Sequence, residues 1–255
     1  MNITIIQPDI RWEDKAFNLA RYEKLISATA KTDVIILPEM FTTGFTSRSE
    51  ELSEPPRGET FNWMIHAAEK YDTAVCGSYI VRTGNHLFNR FMFVSPAKKA
   101  WHYDKRHLFK MNNVENNFSR GGIRVILKFR GLRICPNICY DLRFPVWSRN
   151  RNDYDLLINC ANWPAARREV WMTLLKARAI ENLCFVAGVN RIGTDGMNVK
   201  YSGDSLIIDP KGSTIASAGK NTENTISAYL SLADLNSFRK KFPAHLDADD
   251  FTIGL

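Results

Sequence analysis

Short apolar runs recur along this chain, at residues 3–7, 34–37, 73–81, 88–94, 124–129, 132–138, 156–159, 183–189 and 205–208. Runs of this length read as buried strands rather than helices. Helical patterns lie between several of them. Within residues 14–30, Leu19, Tyr22, Ile26 and Ala30 follow helical spacing, and a second pattern over 59–70 begins after Gly58. The strongest helix is expected over 167–183, where Val170, Trp171, Leu174, Leu175 and Ala177 gather on one side. Arg178 and Glu181 fall on that same side, three apart. They read as a buried structural ion pair, with support of a nearby site as the alternative. Strands alternating with helices give an α/β class. Past residue 200 the turn signal Asp209-Pro210-Lys211-Gly212 implies a hairpin, so the sheet is expected to be mixed.

No stretch reads as an interdomain linker and no repeat of about 20 to 50 residues is visible, so residues 1–255 are expected to form one domain. With 45% hydrophobic and 24% charged residues the composition is that of an ordinary globular protein. The 34 Lys and Arg against 27 Asp and Glu leave a net charge of +7. That excess is scattered, with only short pairs such as Lys98-Lys99, Arg167-Arg168 and Lys240-Lys241, and points to a solvated surface rather than a nucleic-acid partner. No run approaches the ~18 apolar residues of a membrane span. The start MNITIIQPDI lacks the marks of a signal peptide, so a cytoplasmic location is expected. The five cysteines, Cys76, Cys135, Cys139, Cys160 and Cys184, are odd in number and dispersed, which favours free thiols. Their spacing completes no zinc set.

A faint internal echo helps to locate a site. Residues 33–39 and 155–162 each run from an aspartate through an apolar strand to an abrupt polar end. Strand ends in α/β sheets are where ligands bind. Walker A, Gly-x-Gly-x-x-Gly, Gly-x-Ser-x-Gly and His-Glu-x-x-His patterns are all missing, which weakens nucleotide-binding, serine-hydrolase and zinc-protease readings. None of His66, His86, His102, His107 and His245 sits in the flanking sequence of a papain-like protease. Three positions remain where a charged or nucleophilic side chain ends an apolar segment: Glu39, Lys105 and Cys139. Singly, each has a plainer explanation, since a cysteine often packs, a glutamate after proline caps a turn and a lysine snorkels.

Together with their flanks these residues resemble the nitrilase superfamily of carbon-nitrogen hydrolases. The resemblance rests on Leu37-Pro38-Glu39, on Asp104-Lys105-Arg106-His107-Leu108-Phe109, and on Ile138-Cys139-Tyr140-Asp141-Leu142-Arg143-Phe144-Pro145. It continues through Ala161-Asn162-Trp163-Pro164, Ala177-Arg178-Ala179-Ile180-Glu181-Asn182, Gly188-Val189-Asn190-Arg191 and Gly203-Asp204-Ser205, so it covers nearly the whole chain in order. The resemblance implies a four-layer αββα sandwich with mixed sheets and a catalytic Glu-Lys-Cys set. It implies neither a metal nor an organic cofactor.

The chemistry of such a set follows from its parts. A thiol near pKa 8.5 needs a base or a positive neighbour to attack at neutral pH, and Glu39 and Lys105 supply these. Lys105 and the backbone N–H of Tyr140 would stabilise the oxyanion, and Glu39 would pass its proton to departing ammonia and then activate water. The superfamily's assisting glutamate is expected at Glu115, before Phe118, with a solvated loop carboxylate as the plainer reading.

Within the superfamily the chain looks most like the bacterial omega-amidase branch, although Val170 stands before Trp171 where that branch tends to place histidine. Such enzymes act on monoamides of 2-oxo dicarboxylic acids, and Arg143 could pair with the far carboxylate. Its plainer role is a structural contact with Asp141 or a loop carbonyl. Trp163 is expected to wall the pocket or to pack in the core. Nitrilase or N-carbamoyl amide hydrolase chemistry, and a silent binding protein on the same fold, are the rival readings. The superfamily habit of two-fold pairing implies a homodimer or larger homo-oligomer, with tail 242–255, where Phe251, Ile253 and Leu255 alternate, suited to reaching a neighbouring subunit.

Overall fold

The apolar runs pair into two six-stranded sheets laid face to face. The computed structural model of the chain describes residues 1–112 and 114–254. Its first half contains β1 (Asn2–Gln7), α1 (Lys15–Ser27), β2 (Val34–Ile36), α2 (Ser49–Leu52), α3 (Glu59–Lys70), β3 (Ala74–Thr83), β4 (His86–Val94) and β5 (Ala100–Asp104). Then come β6 (Leu127–Phe129), β7 (Leu132–Ile138), α4 (Pro145–Ser148), β8 (Leu156–Cys160), α5 (Arg168–Asn182) and β9 (Phe185–Val189). The chain closes with β10 (Ile192–Thr194), β11 (Lys200–Ser202), β12 (Leu206–Ile208), β13 (Thr214–Ser217), β14 (Asn224–Tyr229) and α6 (Leu232–Lys241).

One sheet has the order β14-β1-β2-β3-β4-β5 and the other β13-β12-β9-β8-β7-β6, while β10 and β11 form a separate ribbon. In each sheet a parallel trio, β1-β2-β3 or β7-β8-β9, is flanked by antiparallel strands, so both sheets are mixed as expected.

The alternation of side chains sorts these apolar runs into layers. In β2, Val34 and Ile36 enter the core between the sheets, whereas Ile35 faces outward to the layer of α1 and α3 with Tyr22, Met64 and Ala67. In β8, Leu156, Ile158 and Cys160 point inward, while Leu157 packs outward against Trp171, Leu175 and Ala179 of α5. The result is the four-layer αββα sandwich. Both faces of the central strands are covered, which is why they read as unbroken apolar runs. Burying each Ile, Val or Leu contributes about 1.5 to 3 kcal/mol. One close approach fixes α5: a Cβ on Gly188 of β9 would lie 2.3 Å from Leu175 Cδ1.

Several expected boundaries move for local reasons. The strand expected over 183–189 starts only at Phe185, because Leu183 caps α5 in the left-handed conformation (φ 46°) and the Cys184 N–H donates to the Ala179 carbonyl. The strand expected over 124–129 pairs only from Leu127, while the Arg124 guanidinium is engaged with Asp153. Ala30 lies beyond the end of α1 and is exposed. The buried stripe of α5 is Trp171, Leu175, Arg178, Ala179 and Asn182, with Val170, Leu174 and Ala177 on its flanks.

The turn at 209–212 does join a hairpin, β12 to β13. All five cysteines are free. In the tail, Phe251 and Ile253 lie in a shallow depression beside Arg124 and Trp147, and the Arg151 guanidinium sits 4.4 Å over the Phe251 ring. Their alternation makes no strand among the described residues; Leu255 lies outside them. Among the described residues no helix is long and apolar enough to cross a membrane.

Candidate active site

The echo between residues 33–39 and 155–162 closes on itself in space. Glu39 follows β2 in the first sheet and Asn162 follows β8 in the second. The Asn162 N–H donates to Glu39 Oε2 at 2.8 Å, and its side-chain amide donates to the Glu39 carbonyl at 2.7 Å. Lys105, immediately after β5, reaches the same place. Its Nζ donates to Glu39 Oε1 at 2.9 Å and to Glu115 Oε1 at 2.8 Å, with all three side chains essentially sealed from solvent.

An unpaired charge in such surroundings is strongly unfavourable. Two carboxylates on one ammonium leave an excess negative charge, and neutral donors hold it. Asn89 on β4 donates to Glu39 at 2.8 Å and to Glu115 at 3.4 Å, while the Phe109 N–H donates to the second Glu115 oxygen. Glu115 is therefore a buried member of this cluster and not a solvated loop carboxylate.

Cys139 stands where β7 turns into a 3-10 segment, Cys139–Arg143, and its own φ is +43°. A cysteine in the left-handed region costs of order 1 kcal/mol or more and persists only where its surroundings impose it. Asp141 is one such constraint. It is fully buried and accepts hydrogen bonds from the Ile138 N–H at 3.0 Å, the His107 N–H at 2.9 Å and the Tyr103 hydroxyl at 2.7 Å. The His107 ring, stacked on Phe144, lies 2.7 Å from the same carboxylate through Nδ1. Asp141 thus fastens the cysteine turn to the segment that carries Lys105. Arg178 supports the turn from α5: it pairs with Glu181 at 2.9 Å and donates to the Leu142 carbonyl at 2.6 Å. The structural ion pair and the support of a site are one arrangement.

Electrostatics set the resting state. Burial alone would lower the pKa of Lys105, but Glu115 and Glu39 hold it well above the usual lysine value, so it is an ammonium. Burial raises Glu115 by more than Lys105 lowers it, and Glu39 adds to the rise, as expected for two carboxylates sharing one cation. Burial pushes the Cys139 thiol up and Glu39 pushes it further, against the pull of Lys105. Cys139 therefore rests protonated, and its attack on a carbonyl needs a base at that moment.

These groups open into a cavity of about 750 Å³. Of its lining residues, the sealed Glu39, Lys105 and Asn162 beside Cys139 make the inner part, its floor, and the half-buried Tyr140, Arg143, Phe109 and Arg167 the outer part, its mouth. Phe45, Met197, Val199 and Tyr201 complete the walls. Trp163 lines the cavity and is also buried, only 3% exposed, with its backbone N–H donating to the Asn190 side chain and Nε1 to the Arg167 carbonyl. Arg143 lies 5.3 Å over the Trp163 ring and Arg167 lies 5.3 Å over Phe109. Val170 packs instead against the core beneath α5. Sequence reasoning missed Asn89, Arg167, Phe45 and Tyr201. For Asn89 a signal was present, an amide inside the apolar run 88–94.

Comparison with known proteins places the whole chain among carbon-nitrogen hydrolases. The carbon-nitrogen hydrolase family profile matches residues 2–240. The chain is 45% identical to the omega-amidase YafV of Escherichia coli (strain K12) over 253 residues, covering 99% of this chain and 98% of that protein. It is 32% identical to the 2-oxoglutaramate amidase of Bacillus subtilis (strain 168) over 251 residues, 96% of each chain. Among solved structures, the CN-hydrolase superfamily protein XC1258 of Xanthomonas campestris superposes with a TM-score of 0.96 at 41% identity, covering 100% of this chain and 99% of that one.

Proposed function

The chain belongs to the carbon-nitrogen hydrolase family, and we propose that it hydrolyses the terminal amide of a small 2-oxo dicarboxylic acid monoamide, of the 2-oxoglutaramate type, to the acid and ammonia. The observation that carries this reading is the meeting of Cys139, Glu39 and Lys105 at the floor of one cavity whose mouth holds Arg143. The likeness to an omega-amidase and to a 2-oxoglutaramate amidase supports the choice of amide.

In this mechanism Glu39 takes the Cys139 proton as sulfur attacks the amide carbon. Attack is favoured because the base is already desolvated and oriented by Asn89 and Asn162. The C=O bond becomes an oxyanion, stabilised by the Lys105 ammonium and the Tyr140 N–H. The C–N bond then breaks, and the proton held by Glu39 leaves with ammonia. Glu39, again a carboxylate, removes a proton from water as its oxygen attacks the thioester; when the C–S bond breaks that proton passes from Glu39 to sulfur, which releases the acid and restores the thiol and the carboxylate. Glu115 holds Lys105 and Phe109 in place throughout. Arg143 receives the substrate's far carboxylate, and Trp163 forms the wall beneath that guanidinium.

The test is ammonia release from 2-oxoglutaramate, glutamine and a nitrile, with Cys139→Ala as the blank. 2-Oxoglutaramate should be the preferred substrate. A preference for glutamine or the nitrile overturns the assignment. A cytoplasmic homodimer belongs to the same proposal. The exposed Ile180 of α5 and Ile215 of β13 are apolar surface available to a second copy, and sedimentation tests the assembly.

A further inference from the structure

Arg167 and Arg168 are neighbours in sequence with opposite fates. Arg168 is engaged by the protein itself, with Nη2 2.9 Å from Asp204 and Nη1 2.6 Å from Glu169. Arg167 lines the cavity and, among the described residues, has no acidic partner. Its backbone is nevertheless fixed. The Arg167 N–H donates to the Pro164 carbonyl at 2.9 Å, and its carbonyl accepts from Trp163 Nε1 at 2.8 Å.

The same description fits Arg143, which also lines the cavity without an acidic partner among the described residues. Each guanidinium lies over an aromatic ring, Trp163 for Arg143 and Phe109 for Arg167. Among the described residues neither guanidinium donates a hydrogen bond to the protein, so the N–H groups that grip a carboxylate are unspent. The two platforms are linked to each other and to the floor. Trp163 holds the Arg167 backbone, and the Phe109 N–H is held by Glu115, which also holds Lys105.

We propose that Arg167 is a specificity-determining residue that acts with Arg143 as a two-sided clamp on the carboxylate at the far end of the substrate. The inference rests on the omega-amidase reading above and adds to it a second reader. Two unpaired cations facing one cavity repel each other until an anion enters between them, so an anionic amide gains from both while a neutral amide gains from neither.

The test compares kcat/KM for 2-oxoglutaramate with that for pentanamide, a neutral amide of the same chain length, in wild type, Arg167→Met, Arg143→Met and the double variant. Loss of one charged hydrogen-bonding group should lower kcat/KM for 2-oxoglutaramate by roughly 10- to 150-fold, mainly through KM, and leave pentanamide within about twofold. The double variant should lose less than the product of the single losses, because both act on one carboxylate. Arg167→Lys, which keeps charge but not the fork, should recover part of the loss. An equal fall for both substrates in Arg167→Met would make Arg167 a structural residue, and an unchanged ratio would remove it from recognition; either overturns the inference while the omega-amidase reading stands. A wild-type enzyme with no preference for 2-oxoglutaramate over pentanamide overturns the reading itself and the inference with it.

Discussion

At the floor of the cavity every charge already has a partner: Lys105 and Asn89 share one oxygen of each carboxylate, and the backbone N–H groups of Asn162 and Phe109 occupy the other two. At the mouth, Arg143 and Arg167 lie over aromatic rings with no acidic partner among the described residues, and in the proposed mechanism they receive the substrate's acid. The difference separates two tasks. Groups that stabilise developing charge work best when held rigidly before substrate arrives, since no reorganisation is then required during reaction. Groups that select a substrate must instead keep their hydrogen-bonding capacity unspent until it binds.

Substitutions should divide along the same line. The largest effect is expected for Cys139→Ala, which removes the nucleophile and one heavy atom: turnover of every amide disappears while melting behaviour stays near wild type, as circular dichroism against ammonia release would check. Residual activity that survives purification from contaminating amidases contradicts a thiol mechanism. Next come Lys105→Ala and Glu39→Gln, each expected to lower kcat by about 10² to 10⁴-fold for acidic and neutral amides alike. Their double variant should be little worse than either single one, because the groups act as a unit. A near-normal kcat in either removes that residue from the chemistry.

Arg143→Met should show a smaller and selective loss, roughly 10- to 150-fold in kcat/KM for 2-oxoglutaramate, with a neutral amide almost unaffected. An equal fall for both amides would move Arg143 from recognition to support of the Cys139 turn. The smallest contrast comes from alkylation of Cys139. Lys105 is the group that opposes the upward push on this thiol, so Lys105→Ala should shift the pH profile of alkylation to still higher pH for iodoacetamide and iodoacetate alike. Arg143→Met should slow only the anionic reagent, by a factor of about 2 to 10 at low salt.

Much of the floor was legible before any coordinates. Glu39 and Cys139 each follow a buried apolar strand, and a strand that stops at a reactive side chain leaves that side chain at the carboxyl edge of a sheet; Lys105 was legible only as a lysine that ends the aromatic-rich segment 101–104, which is the partly exposed edge strand β5. Glu115 lay in an irregular stretch where no periodicity assigns a direction to a side chain. The mouth was harder still: Arg143 was reachable by its nearness to Cys139, whereas Arg167 enters the cavity only because the 3-10 turn Ala165–Arg167 aims it there. The missed strands share one cause. β5, β13 and β14 lie at or near sheet edges and carry exposed polar residues, and β10 and β11 are only three residues long, so none has a clear apolar pattern.

The bond between Glu39 and Asn162 has a mechanical meaning. Glu39, Asn89 and Lys105 lie on or just after strands of one sheet, Cys139 and Asn162 just after strands of the other, so the proposed reaction would be carried out across a seam. Sliding of one sheet past the other by a fraction of an ångström separates base from nucleophile long before any strand unpairs. Turnover is thus a strain gauge for the alignment of the two sheets. Loosening the packing between them at Ile36, Phe93 or Ile158, far from any substrate, registers in kcat while the circular dichroism of the protein stays unchanged.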